Sequence, residues 1–263
     1  MIQVREHRHV RLFSPFSLVP LVLMIAVLIS VSACDRAGVS GAELGRDHVA
    51  GPIGLIPPGE DGVGLPRPDP DGIVGESCSS NDPKFLCLGL KYVVYTDVVN
   101  TAIVSRKSAI GNVKLINKVW SQCKIGFQID EFLAAPPADY GLQYQTANYA
   151  ELDAIRNTFL DNSTFLVVTT GTWDRTGSLG NTGANAWTAM PNGPPYGVIM
   201  ERPVGIFANI IAHELGHYLN IGHVSDNSSL MNPIIYTNST RISRTDCTKA
   251  RSAARYFWPK MIR

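Results

Sequence analysis

The chain has 263 residues, 45% of them hydrophobic and 17% charged, with a formal net charge of +1 and a mean hydropathy of +0.04. That length accommodates one large domain or two small ones, with enough apolar side chain to bury a core. The balance excludes a disordered polyelectrolyte, and it offers no charge excess to attract nucleic acid. The composition is uneven, however. Leu12–Cys34 carry no charged side chain, and residues 35 to 77 hold 10 of the 23 glycines and no Phe, Trp or Tyr.

Met1–Arg11 form a basic segment, followed by an apolar run through Leu18–Ile29 and then Val31-Ser32-Ala33-Cys34. Small residues before a cysteine, after an apolar run, resemble a bacterial lipobox. The resemblance implies a signal peptide over 1–33, cleavage before Cys34 and lipidation of Cys34. The alternative is an uncleaved signal anchor, because the 23 residues of Leu12–Cys34 are long enough to span a bilayer. Both readings export the bulk of the chain, to face the periplasm or the cell exterior. Residues 34–77 then read as a Gly/Pro-rich tether, too poor in apolar side chains to offset the entropy of ordering. Residues 78–263 read as one domain.

Four cysteines remain beyond Cys34, and an oxidising compartment makes them two disulfides. Three connectivities exist. Cys78–Cys87, which closes a short local loop, with Cys123–Cys247, which pins the C-terminal segment to the body, is the favoured one. No C-x-x-C pair is present to bind zinc.

Within the domain, Leu90–Thr96 is rich in β-branched and aromatic residues and predicts a strand. Ile110, Val113, Ile116, Val119 and Trp120 recur at helical spacing, predicting a helix that runs to Cys123. Ile125–Ile129 alternates and predicts a strand. A helix is predicted over Tyr149–Leu160, a strand over Thr164–Thr169, and short extended segments at Ala186–Met190 and Tyr196–Met200. Helices follow at Gly205–Leu219 and from Ser243, capped with Asp246, to Phe257 before Pro259. This order predicts an α/β or α+β domain.

Six histidines are present, and three fall within eleven residues: His213, His217 and His223. Positions four apart share a helix face, so His213 and His217 can offer nitrogens to one metal. Glu214 lies beside that metal, placed to take a proton from bound water. His223 can join only if the chain turns after about Leu219. Asn220 sits at that point and suits the left-handed conformation that ends helices, with Gly222 two residues on. His48 falls in the tether.

His213-Glu214-Leu215-Gly216-His217-Tyr218-Leu219-Asn220-Ile221-Gly222-His223 resembles the H-E-x-x-H-x-x-G-x-x-H signature of metzincin zinc endopeptidases, with Asn220 in place of the usual Gly. Met231, eight residues after His223 in Ser229-Leu230-Met231-Asn232-Pro233, stands where those proteins have a methionine turn, and the stretch looks most like the matrixin branch. The resemblance implies a zincin-like α/β (α+β) fold: a mixed sheet with two helices, including the active-site helix, then a small C-terminal subdomain with the methionine turn and a last helix. It implies one catalytic Zn2+ held by His213, His217 and His223, Glu214 as the base and Met231 as an apolar floor that does not ligate. It places Trp187 and Thr188 on the edge strand that pairs with a peptide substrate. Pro233, Ile234 and Tyr236 would wall the substrate pocket. No motif supports a structural Ca2+ ion, and no residue is assigned to oxyanion stabilisation. Pro66-Arg67-Pro68-Asp69 has the flavour of a matrixin pro-segment but no cysteine, so no cysteine switch is inferred.

The resulting expectation is a monomeric, membrane-anchored zinc endopeptidase acting on proteins or peptides, with no nucleic-acid partner. The alternative is a surface binding or adhesion lipoprotein whose zinc site is structural or vestigial.

Overall fold

Five strands build one sheet in the order β2-β1-β3-β5-β4. The computed structural model describes residues 73–202 and 204–263, so the expected signal segment, Cys34, His48 and most of the expected tether lie outside the described residues. The strands are β1 Leu86–Tyr95, β2 Ile125–Ala135, β3 Phe165–Thr170, β4 Ala186–Thr188 and β5 Val198–Glu201. Among the described residues, four α-helices accompany them: α1 Arg106–Trp120, α2 Tyr149–Phe159, α3 Ala208–Tyr218 and α4 Arg244–Phe257. All neighbouring strands run parallel except β4, which is antiparallel to β5 and forms the sheet edge.

A parallel sheet is covered on both faces, and its strands are accordingly apolar on both. Leu88, Leu90, Tyr92 and Val94 of β1 join α1, α3 and α4 in one core. Val93 and Tyr95 point the other way, into a second core with Leu152, Ile155 and Phe159 of α2.

Strands β1 and β2 are both longer than the sequence predicts. Leu86–Leu90 pairs with Ile125–Ile129, after which the register slips by one residue at Asp130 and pairing resumes to Ala135. Such a bulge tolerates the charged pair Asp130-Glu131 that broke the alternation. Glu131 reaches Lys91 at 3.2 Å, and Asp130 meets Arg263. The packed region also begins before Cys78. Val74, at the end of the expected tether, donates its N–H to Ile129 O at 2.7 Å and is buried.

Helix ends follow local chemistry. Ser105, Asn148 and Ser243 each accept a hydrogen bond from the backbone N–H three residues on, and Ser243 Oγ also donates to Asp246. Helix α3 departs from expectation. It starts at Ala208 rather than Gly205, because Val204–Ile206 form a 3-10 turn and Phe207 is extended. The backbone at Gly205 lies hard against β3, where an added Cβ would sit 2.4 Å from Thr169 Cγ2, and Gly205 O accepts from Asn112.

Both favoured disulfides are formed. Cys78–Cys87 closes a local loop, and Cys123–Cys247 joins the end of α1 to α4 across 124 residues.

Candidate metal centre

The site is built on α3 and the turn that ends it. Helix α3 packs against α1, where Trp120 Nε1 donates to Ala212 O at 3.2 Å. At its C-terminus Asn220 adopts φ 65°. Asn220 N–H bonds His217 O at 2.8 Å and Ile221 N–H bonds Gly216 O at 2.9 Å. This paired closure is a Schellman turn, with Asn in the place glycine usually takes. It reverses the chain so that His223 comes back beside the two helical histidines.

The three Nε2 atoms form a nearly equilateral triangle: 3.0 Å between His213 and His217, 3.1 Å between His217 and His223, and 3.3 Å between His223 and His213. Two of the rings are fixed from behind. His213 Nδ1 lies 2.7 Å from Leu230 O, and His217 Nδ1 lies 2.8 Å from Ile221 O. A carbonyl only accepts, so each of these Nδ1 atoms is the donor, which in a neutral imidazole leaves the Nε2 lone pair facing the centre. Burial, and then the neighbouring His217, hold His213 well below the ordinary imidazole range and keep it neutral. Lone pairs converging at this spacing suit a cation between them. An ion about 2.0–2.1 Å from each nitrogen in tetrahedral geometry needs nitrogens about 3.3–3.4 Å apart, so the set fits zinc.

Glu214 is fully buried beside this triangle, and Thr188 Oγ1 of the edge strand donates to its Oε2. Beneath lies Met231, also fully buried, whose carbonyl accepts from Val224 N–H at 2.9 Å. A Cβ on Gly216 would fall 2.4 Å from Met231 Sδ, so the glycine inside the helix is what admits the methionine. Pro233, Ile234 and Tyr236 follow on a half-buried segment, pinned where Asn232 Oδ1 accepts from Ile234 N–H at 2.8 Å.

Trp187 does not join the site. Alternation along β4 sends its ring to the other sheet face, into the second core, where it meets Tyr149 at a centroid distance of 4.9 Å. Its contribution is through the backbone. Buried Arg156 of α2 donates Nη2–H to Trp187 O at 2.9 Å and Nε–H to Gly197 O at 3.1 Å, fastening the edge strand beside β5.

The sequence reading missed two partners. Thr188 was placed on the substrate strand but not on Glu214, and Gly216 was not linked to Met231. Only the small residue inside the histidine motif was available as a signal for the second.

A mixed five-stranded sheet beside a buried His-Glu-x-x-His helix, with a third histidine brought back by a turn, has the form of a zincin-type fold with a group of histidines that could hold a metal. The matrixin family profile matches residues 117–252, and the chain belongs to the matrixin family, one of zinc-dependent metallopeptidases. Among solved structures the chain is similar to metalloproteinase-II from Bacteroides fragilis, at 13% identity and TM-score 0.43, covering 66% of this chain and 59% of that one. A structure of a chaperone–substrate complex matches at 12% identity and TM-score 0.47, covering 68% of this chain and 35% of that one. The chain thus spans about three fifths of the first structure's length and about a third of the second's. No curated protein matches the chain.

Proposed function

We propose that this protein is a metzincin-type zinc endopeptidase that cleaves proteins or peptides outside the cytoplasm, as a monomer tethered through lipidated Cys34. The observation that carries the reading is the convergence of three imidazole Nε2 atoms beside a buried carboxylate. A structural metal site has no use for that carboxylate.

His213, His217 and His223 would hold the metal. A zinc ion held by these residues would supply Lewis acidity, toward the scissile carbonyl and toward the attacking water, whose pKa falls to about 7 in comparable sites. Glu214 accepts the proton of the attacking water and delivers it to the departing amine. The Thr188 hydroxyl holds one carboxylate oxygen of Glu214, which fixes the plane of the base. Edge strand β4 offers its outer rim to an extended substrate by β-addition. Glu201 N–H bonds Asn185 O at 2.9 Å, and antiparallel alternation from that pair leaves the Ala186 and Thr188 backbone groups facing outward. Pro233, Ile234 and Tyr236 form the wall of the pocket that takes the side chain beyond the scissile bond.

The test replaces Glu214 by Ala in the full chain and follows zinc content and cleavage of a peptide library together. Retained zinc with cleavage lost supports the assignment. Cleavage that survives the substitution overturns it.

A further inference from the structure

The near-neutral total hides a strong asymmetry. Residues 106–124 and 241–263 carry 12 of the 17 Lys+Arg found in residues 73–263, and one of its 14 Asp+Glu. These two segments are neighbours in space. Cys123–Cys247 joins them, and Arg251 of α4 donates to Cys123 O at 2.9 Å and to Lys124 O at 2.8 Å. Among these cations, ion pairs join Lys124 to Asp82, Arg241 to Asp226 and Arg263 to Asp130. Lys107, Lys114 and Lys118 on α1, and Lys249, Arg255 and Lys260 on and just after α4, are exposed and have no ion pair among the described residues. Burial first, and then the charge of Arg255, hold Arg251 below its ordinary value, against an opposing pull from Asp82.

The exposed stripes also carry apolar side chains. Leu115 is 54% exposed between Lys114 and Lys118, and Tyr256 is 80% exposed beside Arg255. Basic residues interleaved with projecting Leu and Tyr are the chemistry of a surface that seats against lipid headgroups.

The course of the chain points the same way. Val74 bridges Ile129 at the β2 edge, and Gly75 packs against Ile110 of α1, where an added Cβ would lie 3.1 Å from its side chain. A crevice between this segment and α1 is lined by Val74, Glu76, Ile110, Val113, Lys114 and Asn117. The chain leading from the N-terminal segment therefore enters beside the basic stripe of α1. Strand β4, the proposed substrate strand, is at the opposite edge of the sheet.

We propose that the joined outer faces of α1 and α4 form a docking surface for an anionic phospholipid bilayer. Docking would hold the domain by the side where its tether enters and leave the substrate edge away from that contact. Each Lys or Arg near such a surface contributes about fivefold to partitioning, and the contribution is screened within a Debye length. The proposal is independent of peptidase chemistry. It competes with two other occupants, nucleic acid and the chain's own residues 35–72, which carry seven Asp+Glu against three Lys+Arg.

The experiment reconstitutes the full chain into phosphatidylcholine vesicles with or without phosphatidylglycerol and measures labelling of individual lysines by an amine-reactive ester. The expected result is labelling of Lys114, Lys118 and Lys249 about fivefold or more slower on the anionic vesicles, recovering at high salt. Equal, fast labelling on both vesicles overturns the proposal. Slow labelling on both identifies residues 35–72 as the cover and also overturns it. So does protection by a single-stranded oligonucleotide without protection by phosphatidylglycerol.

Discussion

Replacing Thr188 by Val removes one hydroxyl and little else. The two side chains have similar shapes, and Val suits a strand, so β4 should keep its place beside β5. What is lost is the hydrogen bond from Oγ1 to Glu214 Oε2, made where Thr188 is 4% exposed and Glu214 fully buried. A hydrogen bond to a charged group contributes about 1.5–3 kcal/mol. If that energy is what aims the carboxylate at the reacting water, its loss lowers kcat by about tenfold to a hundredfold. The backbone of Thr188, which the proposed function gives to substrate pairing, is unchanged, so KM should hold. Zinc content should also hold, since the three imidazoles are untouched. Thr188→Ser restores the hydroxyl and should return kcat to within about threefold of the parent, a change of under 1 kcal/mol. Steady-state cleavage of a fluorogenic peptide, with zinc measured on the same samples, gives all three quantities. A Thr188→Val enzyme with parental kcat and full zinc would refute the idea that this contact positions the base.

Two further substitutions test the packing behind the site. Gly216→Ala places a Cβ 2.4 Å from Met231 Sδ and 2.9 Å from its Cε. Overpacking costs about 1–3 kcal/mol and helix propensity returns about 1, so stability should fall by about 0–2 kcal/mol. The displaced floor should instead weaken zinc binding about tenfold or more in a chelator competition; unaltered affinity would mean that Met231 withdraws without disturbing the triad. The disulfides should differ in weight. Loop-closure entropy assigns about 5 kcal/mol to the 124-residue span of Cys123–Cys247 and about 3 to the nine-residue span of Cys78–Cys87. Denaturant unfolding of the two double Cys→Ser variants should therefore rank them in that order, and the reverse ranking would contradict it.

What could be read from the sequence was local. Histidine spacing is a property of a single helix, and the turn after it is set by one residue, Asn220, whose φ of 65° follows from its short polar side chain. The Ser243 cap needs only Asp246 three residues on. Contacts between distant segments were not legible. Thr188 and Glu214 are 26 residues apart, and nothing near either names the other. Strand β2 was cut short because Asp130-Glu131 breaks the apolar alternation, while a bulge and two basic partners on β1 and at Arg263 let pairing continue. The family resemblance assigns Trp187 to the cleft together with its strand. A strand alternates faces, and which face Trp187 takes is decided by the pocket α2 provides on the other side.

The central claim is that the triangle of Nε2 atoms is a zinc site, and metal content tests it most directly. After dialysis against buffer free of chelator, the full chain should hold one zinc per molecule, as should a His48→Ala variant. His223→Ala should lose it. Protein that carries no stoichiometric zinc after supplementation, or a His223→Ala variant that binds zinc as the parent does, would contradict the account.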